Sequence, residues 1–211
     1  MSDWFAASAV ACAAGAVVTP VLVRSGLHAL DHTGRAGVAR IVLRALWGGA
    51  AVAAAALAAH HAGSAWWLPP FVAWALTLAA AAACDVETQR IPTRIVGPGA
   101  FVVAALIVVA GVATHDWHIP IGALIGCVSA GAIVAIGWRF AGIGFGDVRL
   151  AAVGGLGLGH ATSRAIEVGL FGFALVSLAG AVWTFLRTRD RKASFAYGPA
   201  LVVGFLLAAA G

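Results

Sequence analysis

Charged residues are scarce in this chain of 211 residues, where 13 basic and eight acidic side chains make up only 10% of the sequence. A soluble domain carries about 25% charged residues, because a polar shell has to cover its core. The shortage excludes an ordinary soluble domain, and a hydrophobic share of 62% predicts that the solvent of this chain is mostly lipid. In a membrane protein, basic residues indicate the orientation of the chain, and here they exceed the acidic residues by five. We therefore expect no nucleic-acid partner.

Cysteine is also rare, and its placement excludes two further classes of protein. Cys12, Cys84 and Cys127 all lie within apolar runs, and none belongs to a C-x-x-C pair. Such a pattern favours neither a structural zinc site nor a disulfide framework, so these thiols are interpreted as small apolar residues. We therefore expect no metal site and no cofactor.

Long apolar runs are the main positive feature of the sequence. Each spanning helix needs roughly 20 mostly apolar residues, and the chain offers about eight candidates. The N-terminus lacks a basic signal region, so the first run is expected to be retained as a helix. The predicted fold is an all-α polytopic membrane protein with a single integral-membrane domain over residues 1–211, although the last and the sixth runs could be re-entrant. The runs are 4–23, 41–59, 68–84, 95–113, 119–138, 148–160, 165–186 and 196–211.

Basic residues fall in every second connection between these runs, and only Arg164 departs from the alternation. By the positive-inside rule the odd-numbered connections are cytoplasmic, so the N-terminus is predicted to lie outside. The residues that define the alternation are Arg24, Arg35, Arg40 and Arg44, then Arg90 and Arg94, then Arg139 and Arg149, and finally Arg187, Arg189, Arg191 and Lys192.

Two acidic residues stand where a carboxylate is costly. Asp85 ends the third apolar run, and Asp147 opens the sixth run within Gly144-Phe145-Gly146-Asp147. An ionisable group near membrane depth is a functional candidate by default. Both aspartates fall at predicted cytoplasmic helix ends, so we expect them at one depth, and the two glycines would let a substrate backbone or a second helix approach Asp147.

Two carboxyl groups at one depth can share a proton, because repulsion and burial push their macroscopic pKa values apart. One then serves as base and the other as acid, which is the arrangement that an aspartic peptidase uses to activate water. Two alternatives stay open from the residues alone. Both aspartates could be helix caps, or they could be relay groups of a small proton-coupled transporter or channel component.

Three stretches resemble the motifs of the type IV prepilin peptidases, a family of membrane aspartyl proteases with a Gly-x-Gly-Asp motif. The resemblance covers roughly residues 69 to 211. It places Asp85 and Asp147 in the catalytic positions, with Gly144, Gly146 and Pro92 as motif residues and with Glu87 and Arg149 as auxiliary candidates. The stretches are Asp85-Val86-Glu87-Thr88-Gln89-Arg90-Ile91-Pro92-Thr93-Arg94, Gly144-Phe145-Gly146-Asp147-Val148-Arg149-Leu150 and Phe195-Ala196-Tyr197-Gly198-Pro199-Ala200.

The resemblance implies an endopeptidase of the bacterial inner membrane that removes the short basic leader of prepilin or pseudopilin precursors at the cytoplasmic face. Thr93 and Arg149 depart from the commoner family residues at their positions. Longer relatives carry a cysteine-rich methyltransferase region, whereas the connection expected here between the first two runs, Ser25 to Arg40, holds no cysteine. A short form with peptidase activity alone is therefore expected, while Glu87 itself is expected in a solvated loop. The oligomeric state does not follow from the sequence.

Overall fold

A computed structural model describes residues 2–30, 37–141, 144–189 and 196–211. In these ranges the chain forms eight α-helices and one 3-10 turn, with no strand, which confirms the all-α fold class. Four residues named above, Arg35, Arg191, Lys192 and Phe195, lie outside the described residues. The helices are α1 (Ser2–Ala29), α2 (Val38–His61), α3 (Leu68–Thr88), α4 (Thr93–Thr114), α5 (His118–Ala141), α6 (Phe145–Leu156), α7 (Ser163–Thr188) and α8 (Gly198–Ala210), with the 3-10 turn at Ala65–Trp67.

Six of these helices, α1 to α5 and α7, are long and apolar enough to cross a membrane, as a polytopic membrane protein requires. The other two are shorter: α6 has 12 residues and α8 has 13. At 1.5 Å per residue each measures about 20 Å, less than the ~30 Å hydrocarbon core of a bilayer. They correspond to the two runs that could be re-entrant.

Several helices extend further than the apolar runs predict. Helix α1 continues to Ala29, α2 already begins at Val38, and α3 continues past Asp85 to Thr88. The predicted runs stopped where polar residues begin, but a helix continues through the membrane surface because long side chains can reach water from there. Ser25 and Arg40, which were expected in the connection between the first two runs, therefore lie in α1 and α2.

Helix α3 forms the centre of the bundle and packs against α1, α2, α4, α6 and α8. Its Trp74 and Leu78 are fully buried, and the indole N–H of Trp74 donates a hydrogen bond of 3.0 Å to the carbonyl oxygen of Val153 in α6. A buried indole needs such an acceptor, so this bond fixes how α6 lies on α3.

The two short helices are held between this centre and the outer helices. Helix α6 packs closely on α5 because Gly126 and Gly155 leave no side chain between the two backbones, as is common for helices in lipid. Gly154 leaves room for the ring of Phe205 of α8, and α8 packs in turn on α7. The N-terminal ends of α6 and α8 thereby meet the C-terminal end of α3.

Candidate active site

Asp85 is buried near the end of α3, with 5% of its surface exposed. Its Oδ2 accepts a hydrogen bond of 2.9 Å from the backbone N–H of Gly198, the first residue of α8. A Cβ atom at position 198 would lie 2.8 Å from the same oxygen, so the close approach requires glycine. The third sequence motif is therefore part of the surroundings of Asp85.

Asp147 is the third residue of α6 and is 9% exposed. Its backbone N–H donates to the carbonyl oxygen of Gly144 at 3.0 Å, and its carboxylate accepts a hydrogen bond from the backbone of Gly144. A Cβ atom at Gly144 would come within 3.2 Å of Oδ2 of Asp147. The turn that starts α6 thus holds this carboxylate locally.

The pKa of Asp147 depends on the charge of Asp85. Asp147 lies outside the six long helices, and burial raises its pKa from 3.8 to about 6, with the negative charge of Asp85 as the second cause. The hydrogen bond from Gly144 acts in the opposite direction, because it favours the carboxylate. Two carboxyl groups that influence each other in this way can hold one proton between them.

The cap alternative fits neither aspartate fully. Helix α3 ends at Thr88, and Gln89, with a left-handed backbone, is its C-cap, so Asp85 lies within the helix. The N-cap of α6 is Gly144, and Asp147 occupies the third helical position, from which it reaches back to the N-cap as in half of a capping box. Asp147 therefore helps to start α6, while Asp85 has no capping role.

The turn between α3 and α4 packs directly on the second motif. Pro92 is buried and is the N-cap of α4. Ile91 packs against Gly146, where an added Cβ atom would lie only 3.1 Å from the side chain of Ile91. Arg149 donates from Nη1 to Oγ1 of Thr93 at 2.8 Å. The two departures from the family pattern, Thr93 and Arg149, thus contact each other and join the two motifs.

The expectation that Glu87 occupies a solvated loop is wrong. Glu87 lies in the last turn of α3 and forms an ion pair with Arg44 of α2, whose Nε donates to Oε1 of Glu87 at 3.0 Å. Arg44 is only 7% exposed, so the pair is largely withdrawn from water. Glu87 therefore faces α2 rather than Asp147, which leaves its auxiliary role a prediction.

Sequence reasoning missed two contributors to this region. Arg44 was assigned to membrane orientation, although its place inside the apolar run 41–59 was a visible signal of an internal partner. The bond between Gly198 and Asp85 joins residues 113 positions apart, and no local pattern reports such a pairing. The sequence motif around Gly198 marked this region for attention but did not predict the hydrogen bond from Gly198 to Asp85.

The comparisons with known proteins give the class of this molecule: a multi-pass membrane protein related to proteases. The chain belongs to the type IV leader peptidase family, because the family model matches residues 71–185, just over half of its length. The matched region contains both aspartates and ends before Gly198. No curated protein and no solved structure matches the chain.

Proposed function

We propose that this protein is an aspartic endopeptidase in which Asp85 and Asp147 act as one acid–base pair. The observation that carries the proposal is the pair of buried carboxyl groups, in which the charge of Asp85 contributes to the raised pKa of Asp147. Aspartic peptidases use such a pair, in which one proton is shared between two carboxylates.

The chemistry divides between the two carboxyl groups. We assign the shared proton to Asp147, whose pKa is raised by burial and by the charge of Asp85, and the role of base to Asp85. Asp85 takes a proton from a water molecule as the water oxygen bonds to the peptide carbonyl carbon. Asp147 gives its proton to the peptide nitrogen as the carbon–nitrogen bond breaks. The N–H of Gly198 orients the carboxylate of Asp85 for the first step.

The substrate that we propose is a prepilin or pseudopilin precursor, and the site is the cytoplasmic face of the bacterial inner membrane. Family membership supports a precursor protein as substrate. The alternation of basic residues supports the orientation, because it places both aspartates at cytoplasmic helix ends. The hydrophobic helix that follows the cleavage site in such precursors would pack against the bundle from within the bilayer.

The first prediction tests the pair directly. Asp85→Asn and Asp147→Asn should each lower precursor cleavage by about a thousandfold or more, because asparagine keeps the shape but transfers no proton. The double variant should be no worse than either single variant, since residues that act as a unit are not additive. The measurement is the N-terminal mass of a precursor co-expressed with each variant at matched membrane levels, which also reports whether a methyl group has been added; we expect none.

Asp116→Asn is the matched control, because Asp116 lies in the α4–α5 connection, where it accepts the backbone N–H of His118 at 2.9 Å. It should cleave like the unaltered protein. If both Asp85→Asn and Asp147→Asn also cleave normally, the peptidase proposal fails, and proton-coupled transport becomes the hypothesis to test.

A further inference from the structure

A cleft of about 290 Å³ lies between α2, α3 and the start of α8, beside the ion pair of Arg44 and Glu87. Its walls are mostly apolar, and the charged side chains come from α2 and the last turn of α3. No step of the proposed peptidase chemistry uses it. Its principal lining residues are Arg40, Leu43, Arg44, Trp47, Val86 and Glu87.

The cleft carries an excess of positive charge. Arg44 is paired with Glu87, and both of its donating nitrogens reach the same oxygen, Oε1. Arg40 lies one helical turn earlier and is exposed, and among the described residues no carboxylate pairs with it. Two guanidinium groups therefore face one carboxylate, which leaves one positive charge and several N–H donors for an anion.

Two apolar residues that line the cleft are exposed, and we expect them to face lipid. Leu43 is 67% exposed and Val86 is 62% exposed, and both belong to helices long enough to cross a membrane. Arg40 lies in the first turn of α2, and Arg44 lies about 6 Å further along the helix axis. The cationic end of the cleft is thus near the end of the helix, at the same depth as Leu43 and Val86, while Trp47, nearly one turn beyond Arg44, continues the apolar wall away from that end.

We propose that this cleft binds the headgroup of an anionic phospholipid. Arg40 and the free donors of Arg44 would hold the phosphate, because guanidinium groups match phosphate oxygens in charge and geometry. An acyl chain would run along Leu43 and Val86. Basic pockets between transmembrane helices bind anionic headgroups in this way. A soluble anion would use the guanidinium groups but would gain nothing from Leu43 and Val86, so the structure favours a lipid.

The test is native mass spectrometry of the full-length protein in detergent with added phosphatidylglycerol or phosphatidylcholine of the same acyl chains. The unaltered protein should retain phosphatidylglycerol in preference to phosphatidylcholine. Arg40→Gln should lower that retention about tenfold, the loss expected for one charge-assisted contact. Glu87→Gln should raise it severalfold, because the neutral amide releases Arg44 to the phosphate.

Arg139→Gln is the control, since Arg139 is an arginine of α5 that lies over Phe140, away from the cleft. Its retention of phosphatidylglycerol should be unchanged. Each variant is first checked for an unaltered elution volume in size-exclusion chromatography, and Glu87→Gln keeps the test informative if Arg40→Gln is unstable. Equal losses in Arg40→Gln and Arg139→Gln would show diffuse surface attraction and overturn the proposal. Equal retention of the two lipids, or displacement of phosphatidylglycerol by millimolar inorganic phosphate, would also overturn it.

Discussion

The two aspartates are held in different ways. Asp85 lies inside a long, buried helix, and its carboxylate is held by Gly198, which is distant in sequence. Asp147 lies in the first turn of a short helix, and its hydrogen-bond partner is Gly144, three residues earlier. One half of the proposed pair is therefore positioned by the packing of α3 on α8, and the other half by a local turn.

Because the two supports differ, a single substitution can disturb the position of one aspartate more than that of the other. A change at Gly198 acts directly on the carboxylate of Asp85, and a change in the turn before α6 acts directly on that of Asp147. The contact between Thr93 and Arg149 then joins the two halves. Variants that act on one half alone can test whether the pair depends on both.

Among the variants that change the support of one aspartate and keep both carboxyl groups, the largest effect is expected from Gly198→Ala. The added methyl group would come within 2.8 Å of Oδ2 of Asp85, so either the carboxylate or α8 has to move, and the hydrogen bond from the N–H is weakened. We expect cleavage to fall by about 10- to 100-fold, since a hydrogen bond to a charged group contributes about 1.5–3 kcal/mol. The measurement is kcat/KM for a precursor peptide.

Gly97→Ala is the control for this variant, because no atom lies within 4 Å of the position of its added Cβ atom. Activity in Gly198→Ala equal to that of Gly97→Ala would mean that the contact between α8 and Asp85 does not position the carboxylate.

The same contrast explains what could be predicted from the sequence. The fold class followed from the apolar runs, and the charged residues at the ends of those runs singled out the two aspartates as catalytic candidates. The bond from Gly198 to Asp85 and the pairing of Arg44 with Glu87 depend on how helices pack, and helix faces in lipid carry little pattern because apolar residues cover all sides. Glu87 was misplaced for a related reason: its charge indicated a loop, whereas its partner on α2 keeps it in a helix.

The pH dependence should report the shared proton. Burial and the charge of Asp85 raise the pKa of Asp147 to about 6, so Asp147 is neutral below that pH and ionised above it. If the active form holds one proton between the two carboxyl groups, kcat/KM should decline as the pH rises through about 6. A profile that stays flat from pH 5 to pH 8 would contradict the shared proton.

Stability should follow the same titration. Because the pKa of Asp147 is higher in the folded than in the unfolded chain, its contribution to the free energy of unfolding is fully present below pH 3.8. This contribution is lost as the pH rises through about 6. The shift corresponds to roughly 3 kcal/mol at most. Asp147→Asn should therefore gain melting temperature relative to the unaltered protein as the pH rises from 4 to 7. An equal difference in melting temperature at pH 4 and pH 7 would contradict a raised pKa of Asp147 in the folded state.

A smaller effect is expected for Gly144→Ala, which acts on the local half of the site. The added Cβ atom would lie 3.2 Å from Oδ2 of Asp147, a tight contact that a small rotation of the carboxylate can relieve. The backbone N–H stays in place. We expect kcat/KM to fall by about threefold to tenfold, less than in Gly198→Ala, as suits an overpacking cost of about 1 kcal/mol. A larger loss of kcat/KM in Gly144→Ala than in Gly198→Ala would contradict the conclusion that helix packing holds Asp85 and a local turn holds Asp147.

The smallest effect concerns the contact between Thr93 and Arg149, which joins the two halves at the surface. Its atoms are exposed, so the hydrogen bond should contribute about 0.5–1 kcal/mol, and Thr93→Ala or Arg149→Met should lower kcat/KM by about two- to fivefold. Because both variants remove the same bond, the double variant should lose no more than the larger single loss. Arg94→Met serves as the control, since Arg94 is an exposed neighbour on α4. If the losses of Thr93→Ala and Arg149→Met simply multiply, the contact does not couple the two motifs, and each residue acts on its own half of the site.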